Sequence, residues 1–380
     1  MKIKSLLLGS AAASMLAVSG AQAADPIIYA EPEAMEYVRI CDVYGAGFFY
    51  IPGTETCLRI SGFARYQIGA AQDDALNRKP NYHGFGEGGW NKYARGRINF
   101  DARSETEWGT LRGFVRFEVN SGRFVNDSGN AGPNTVMPWM FVSLSTQQGE
   151  LLAGYLESAW VWSGPIGNYG PTMSDTGGSY GFQRRSQIRY TFNAPEGFFG
   201  VLSLEDNYRV GQPRQWMPDV VGKLGVNQAW GGAYGAFGYD AVDESWAARI
   251  GAQINVPNAP GSSLLGTFYW ANSIDNAYAP RMYYAEGGLL GTGATAAARW
   301  SGAVGYQHRF NPEFAAQVGY QYLSGFGAGS PHAHIVDASL IWTPVRDLEI
   351  RTELGWTKAQ QGATNLDGAF SGFLRFQRNF

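Results

Sequence analysis

Six ionised side chains in "YARGRINFDARSETEW", residues 93–108, share one parity: Arg95, Arg97, Asp101, Arg103, Glu105 and Glu107, with Ala94, Gly96, Ile98, Phe100 and Ala102 among the residues between them. Arginines and carboxylates so arranged neutralise one another, bind an anion, or line a path for charged and polar solutes. Other chemistries lack their setting. "GFGEGG", residues 84–89, matches G-x-G-x-x-G, but no buried strand precedes it and no helix follows, so a phosphate cradle has no frame. His332 and His334 form an H-x-H pair in an expected external loop, and two ligands without a convergent third make a weak zinc site. His83 and His308 are isolated, and no P-loop occurs. An enzyme whose serine and histidine converge only in space stays open as an alternative.

The elements that position these residues follow from the period. Successive side chains of a strand point to opposite faces, so residues 93–108 describe a ribbon with one charged and one apolar side. The pattern recurs in "RISGFARYQIG" (59–69), "TLRGFVRFEVN" (110–120), "SWAARIGAQIN" (245–255), "RWSGAVGYQHRF" (299–310), "FAAQVGYQYL" (314–323) and "LEIRTELGW" (348–356), with Phe63 and Phe114 interrupting the polar rows. Composition agrees: Gly 51, Tyr 21, Phe 22 and Trp 12 suit many strands joined by glycine turns, and only 16% of residues are charged. A length of 380 residues admits two ordinary domains or one large barrel.

A soluble sandwich also alternates, with its polar face in solvent and its apolar face in a dry core. The connections separate the two. Linkers 70–91, 121–136 and 158–184 are long, whereas 107–109, 147–149 and 194–197 are short, the asymmetry of outer-membrane barrels. Keeping that alternation requires splitting 219–239 into "DVVGKLGVN" and "GAYGAFGY" around the turn "QAWG", which echoes "EWG" at 107–109. Strands near 245–255, 263–271, 299–310, 313–323, 334–343, 347–357 and 369–380 then complete sixteen, with both chain ends on the periplasmic side. The expected fold is all-β, a closed antiparallel transmembrane barrel, since an open sheet edge in hydrocarbon leaves amides without partners.

Export fits this. "MKIKSLLLGSAAASMLAVSGAQA", residues 1–23, has two lysines, a short apolar run and an Ala-Gln-Ala end, and reads as a signal peptide that is removed. The expected mature domain is 24–380. Losing Lys2 and Lys4 takes the net charge from −3 to −5, which gives no reason to expect nucleic acid. Beyond residue 23 no apolar run is long enough for a transmembrane helix. Cys41 and Cys57, an even pair in an exported chain, are read as a disulfide within segment 24–58, ahead of thiol catalysis or metal binding.

Sixteen strands enclose a space too wide for side chains to fill, so the charged rows face a wet lumen and the apolar rows face lipid or a neighbouring barrel. The reverse would put several arginines in hydrocarbon at about 2 to 4 kcal/mol each near the midplane. Arg65, Arg95, Arg97, Arg112 and Arg116, with Arg185 and Arg189 on the sixth strand, then line part of the wall. They either set up a field or merely pair with Asp101, Glu105 and Glu118.

The final "FSGFLRFQRNF" ends in an aromatic, Phe380, and "EYVRICDVYGAGFFYIPGTETCLRISGFARYQIG", residues 36–69, resembles the N-terminal signature of the alphaproteobacterial outer-membrane porins. Arg378 departs from such endings, where an aromatic is usual, and near the rim it reaches water. The resemblance implies a general diffusion porin, its partners being two further copies of itself in a trimer, outer-membrane lipid and lipopolysaccharide, with Phe380 read by the insertion machinery. It also implies that 158–184 is the third loop folded inward as a constriction, with Glu157 and Asp175 placed to face the arginine wall. Small hydrophilic solutes would pass without a cofactor. The alternative channel is one specific for a solute such as a sugar.

Overall fold

The computed structural model describes residues 39–71, 89–122, 134–161, 183–207, 216–282, 296–326, 331–361, 364–365 and 368–380. Among them sixteen strands form one antiparallel sheet. They are β1 (Cys57–Ala71), β2 (Gly89–Thr106), β3 (Gly109–Gly122), β4 (Asn134–Ser145), β5 (Gly149–Glu157), β6 (Arg184–Asn193), β7 (Phe198–Glu205) and β8 (Asp219–Gln228). There follow β9 (Gly231–Asp240), β10 (Ser245–Asn255), β11 (Ser263–Ala271), β12 (Ala296–Arg309), β13 (Phe314–Gly325), β14 (His332–Val345), β15 (Leu348–Gln361) and β16 (Ala369–Asn379). Two-residue strands at Phe49–Tyr50, Arg281–Met282 and Thr364–Asn365 are added along β1, β12 and β15.

Each strand pairs with its sequence neighbours, and β16 pairs with β1 from Ser371↔Ala71 to Asn379↔Phe63. Phe380 and Gly62 then exchange backbone hydrogen bonds of 3.0 and 2.8 Å, so closure runs to the last residue. No sheet edge is left along the seam, the condition for burying a sheet in lipid.

The split of 219–239 is as expected: β8 and β9 flank a two-residue turn. Its Gly231 (φ 130°) and the corresponding Gly109 (φ 127°) adopt angles that side chains avoid, and a Cβ at either would strike a neighbouring strand's carbonyl oxygen, at 2.0 and 2.3 Å. The longest connections share one end of the barrel and the two- to four-residue turns the other, with exceptions: β10 and β11 are joined at the tight-turn end by seven residues, 256–262, and β13 and β14 at the long-loop end by only six, 326–331. Residues 241–244, joining β9 to β10 at the long-loop end, are a four-residue turn.

Faces alternate as the sequence predicts. Ile98, Val142, Leu202, Ile250, Val304 and Leu340 point outward and are exposed, whereas Asp101, Ser143, Ser203, Arg249, Ser301 and Ser339 point inward. Aromatic rings gather on the outside at the long-loop end, where Tyr239 lies 4.5 Å from Trp246 and Trp300 lies 5.0 Å from Tyr322, and Phe314 stacks on Trp342 at the other end. Such belts sit where hydrocarbon meets headgroups. Arg378 stands in the short-turn belt and reaches Asp347 at 3.3 Å, so its charge stays at the rim.

Two expectations change. His332 and His334 do not lie in a loop: β14 pairs with β13 as far as Ser324↔His332, and both histidines continue its outward row, His334 Nδ1 standing 2.8 Å from the Tyr320 hydroxyl. The interior is also not uniformly wet. Ala159, Trp160 and Val161, just past β5, pack with Tyr278 and Ala279 against the inward Phe199, Val201, Val221, Tyr234 and Tyr269. Gly238 makes room for this, since a Cβ there would lie 2.9 Å from the Tyr278 ring.

Candidate functional site

The inner wall of β1–β3 carries the charged rows. Arg59, Arg65, Arg95, Arg97, Arg103, Arg112 and Arg116 point inward against Asp101, Glu105 and Glu118, so among the described residues this arc has a surplus of cations. Asp101 is 0% exposed and is shared. Arg112 donates to it through two nitrogens at 2.8 and 3.0 Å, Arg103 through two at 3.0 and 2.9 Å, and Arg59 approaches to 3.5 Å. Arg97 donates to Glu118, its cross-strand partner. Arg95 Nε donates to Asn120, Arg116 Nε to Asn99 and Arg65 Nε to Gln377, at 2.7, 2.8 and 2.8 Å. Antiparallel pairing dictates these contacts, because residues opposite each other on one face have Cβ atoms about 5 Å apart.

Glu157, the last residue of β5, lies within electrostatic reach of Arg184, Arg116, Arg97 and Arg189, which brings the root of the third loop to the cationic arc. Asp175 falls within 162–182, outside the described residues. Residues 84–88 of the glycine-rich motif also fall outside them.

Arg185 is placed differently from the other arginines. Its Nη1 donates to Asp219 at 2.8 Å and its Nε lies 3.9 Å from Glu205, in a buried cluster at the long-loop end. Glu205 accepts from the Ser158 hydroxyl at 2.7 Å, the Ala159 N–H at 2.9 Å and the Tyr278 hydroxyl at 3.3 Å. Asp219 accepts from the Ala241 N–H, and Asp240 from the Ala277 N–H, both at 2.8 Å. Burial and the Glu205 carboxylate push the Tyr278 phenol well above its ordinary pKa, which keeps it a donor. Three wall carboxylates thus hold two inserted segments and the 241–244 turn. The sequence offered no sign of this cluster, whose contacting pairs are 20 to 73 residues apart.

A second group is legible in hindsight. The Phe63 and Phe114 interruptions lie beneath guanidinium groups: Arg65 and Arg97 sit 4.7 and 4.6 Å from the Phe63 centroid, and Arg112 sits 5.0 Å from that of Phe114. Their signal was a Phe two positions from an Arg on the same face.

At the short-turn end, Cys41 and Cys57 form a disulfide. Phe48, beside it, lies under Arg59 and Arg103 at 4.7 and 5.1 Å. Tyr44 bonds Glu105, and burial together with that carboxylate pushes its pKa up to about 12.

Residues 25–373 match a family described as a porin subfamily. Porin Omp2b of Brucella suis is 36% identical to this chain, and Porin Omp2b of Brucella abortus (strain 2308) 35%, with 100% of both chains covered in each case. Among solved structures, the outer membrane channel DcaP of Acinetobacter baumannii superposes with a TM-score of 0.66 at 14% identity, covering 87% of this chain and 99% of that one. The anion-selective porin from Comamonas acidovorans gives 0.59 at 14% identity, covering 86% and 100%. OmpT of Vibrio cholerae, in its trimer form, gives 0.54 at 12% identity, covering 86% and 100%.

Proposed function

Because the chain belongs to the porin subfamily, and so is a diffusion pore of the bacterial outer membrane, we propose that its selectivity arises between the arginine arc of β1–β3 and Glu157 at the root of the third loop. Arg65, Arg95, Arg97, Arg112 and Arg116 supply the cationic side, and Arg189 extends it on β6. Opposed charges across a narrow aqueous gap orient water and small polar solutes and disfavour apolar ones. The observation that carries this reading is the cation surplus of this arc among the described residues, with a carboxylate within electrostatic reach of it. Ions and small hydrophilic solutes pass passively, with no reaction and no cofactor.

The same reading makes residues 1–23 a leader removed on export and 24–380 the mature barrel. Three copies assemble through their apolar outer walls, a reading supported by the trimer form of OmpT of Vibrio cholerae, while lipid and lipopolysaccharide cover the rest. Phe380, closing the seam beside Gly62, is the residue the insertion machinery reads.

The test is the reversal potential of the purified protein in a planar bilayer under a KCl gradient. A charge about 7 Å from a permeating ion in water contributes about 0.6 kcal/mol before screening. Replacing Arg97 and Arg112 together by Glu changes the wall by four charges, so the cation-to-anion permeability ratio should rise at least about tenfold even after screening. Stepwise conductance with an unchanged reversal potential would refute the charged-arc mechanism and leave the pore standing.

A further inference from the structure

Aromatic rings recur under the arginines of the wall. Arg112 lies 5.0 and 5.2 Å from the centroids of Phe114 and Phe141, which stack on each other at 5.2 Å. Arg116 lies 3.8 Å from that of Trp139, and on the adjoining β16 Arg375 lies 4.7 Å from that of Phe373. A diffusion pore needs charge and width, and neither calls for a ring beneath each cation. Buried phenylalanines on the face turned to water are an expense that a merely solvated wall avoids.

Their effect is to fix planes. A guanidinium is flat and weakly hydrated on its faces, and it stacks on rings. Here Arg112 is held along one edge by Asp101 and over Phe114 by one face, and Arg97 is held likewise by Glu118 and Phe63. Both side chains keep about a quarter of their surface open, 24% for Arg97 and 25% for Arg112. With one edge of each taken by a carboxylate, these arginines offer less of it to grip a phosphate by its oxygens. The open quarter of each side chain gives a second flat group access to the guanidinium, for a ring–guanidinium–ring stack, while the cation surplus of the arc attracts negative charge.

We propose that the β1–β4 wall is a binding track for planar aromatic carboxylates, which occupy it during passage. This deepens the pore reading and rests on it. The track adds retention of one solute class to an otherwise passive path, without any change in the solute.

The experiment compares benzoate with cyclohexanecarboxylate, alike in charge and close in size, as blockers of current through the purified full-length protein in planar bilayers at about 0.1 M KCl, where screening is moderate. Benzoate should reduce the current saturably, with a half-effect concentration about fivefold below that of cyclohexanecarboxylate. A doubly substituted Arg112→Lys, Arg116→Lys protein keeps the charge and loses the flat face, so the two acids should block it alike. Phe114→Leu, which keeps both guanidiniums and removes the ring, should weaken benzoate in the same direction and serves if the lysine protein fails to insert. Equal block by the two acids in the wild type, or undiminished discrimination in the lysine protein, overturns the track and leaves the pore intact. Absence of conductance steps in the wild type overturns both.

Discussion

Glu205 is the residue on which the two inserted segments converge, and removing its carboxylate tests whether they are held by hydrogen bonds or by packing alone. It is 1% exposed and accepts from Ser158, Ala159 and Tyr278, all buried. Glu205→Ala leaves the Ser158 hydroxyl and the Ala159 N–H without this acceptor, at about 1 to 3 kcal/mol each if the site stays dry, while the Tyr278 hydroxyl keeps Asp219 at 3.4 Å. The lumen lies alongside, so water repairs part of the loss and the lower end applies, about 2 kcal/mol in all. Arg185 keeps Asp219 at 2.8 Å, so no cation is abandoned. The strand ladder is untouched, and the barrel should therefore persist while the equilibrium between docked and released segments shifts by about thirtyfold. Single-channel recording reads this out: the variant should show larger or noisier steps than the wild type, with unchanged heat-dependent mobility on gels as proof of an intact barrel. Glu205→Gln, which retains one acceptor oxygen, should fall between the two. Steps and noise identical to wild type in the alanine protein would mean that the packing of Trp160 and Tyr278 (5.4 Å between rings) suffices, and the reasoning from Glu205 would fail.

Val304 points outward from β12 and is 59% exposed, so Val304→Arg should cost about 2 to 4 kcal/mol in urea unfolding from lipid vesicles if the site lies near the midplane; no loss would deny that this face meets hydrocarbon. Reduction of the Cys41–Cys57 bridge, which spans 16 residues, should remove about 3 kcal/mol from the order of the hairpin before β1 and open it to protease while the barrel resists; equal resistance with and without reductant would assign that order to Phe48 and its arginines instead. The Tyr44 pKa of about 12 lies above the ordinary 10.0, so its neutral form stabilises the folded hairpin fully below pH 10 and that contribution is lost as pH rises towards 12. The same protease site should open over that interval in the wild type, and Tyr44→Phe should abolish the pH dependence; a variant that opens alongside the wild type would place the titration elsewhere.

The strands were legible because their signal is local. A period of two needs only neighbouring residues, so the inward parity of Arg95, Arg97 and Asp101, the split between β8 and β9, and the closing strand up to Phe380 follow from the chain read in order. His332 and His334 were set in a loop although the expected strand 334–343 already began at the second of them, and the alternation carries β14 back to His332. Phe63 and Phe114 were visible as exceptions, but a sequence does not say what lies above a ring.

The chain by itself determined a closed sheet with a charged inner and an apolar outer face, since hydrophobic patterning is repeated in every strand and lipid leaves one way to satisfy it. Only the tertiary structure decided that Arg185 joins Asp219 while Arg97 and Arg112 lie on rings, and that Glu205 holds Ser158 and Tyr278. Those partners come from strands and loops that meet when the barrel closes, and a contact across 47 or 73 residues leaves no trace in the spacing of either side.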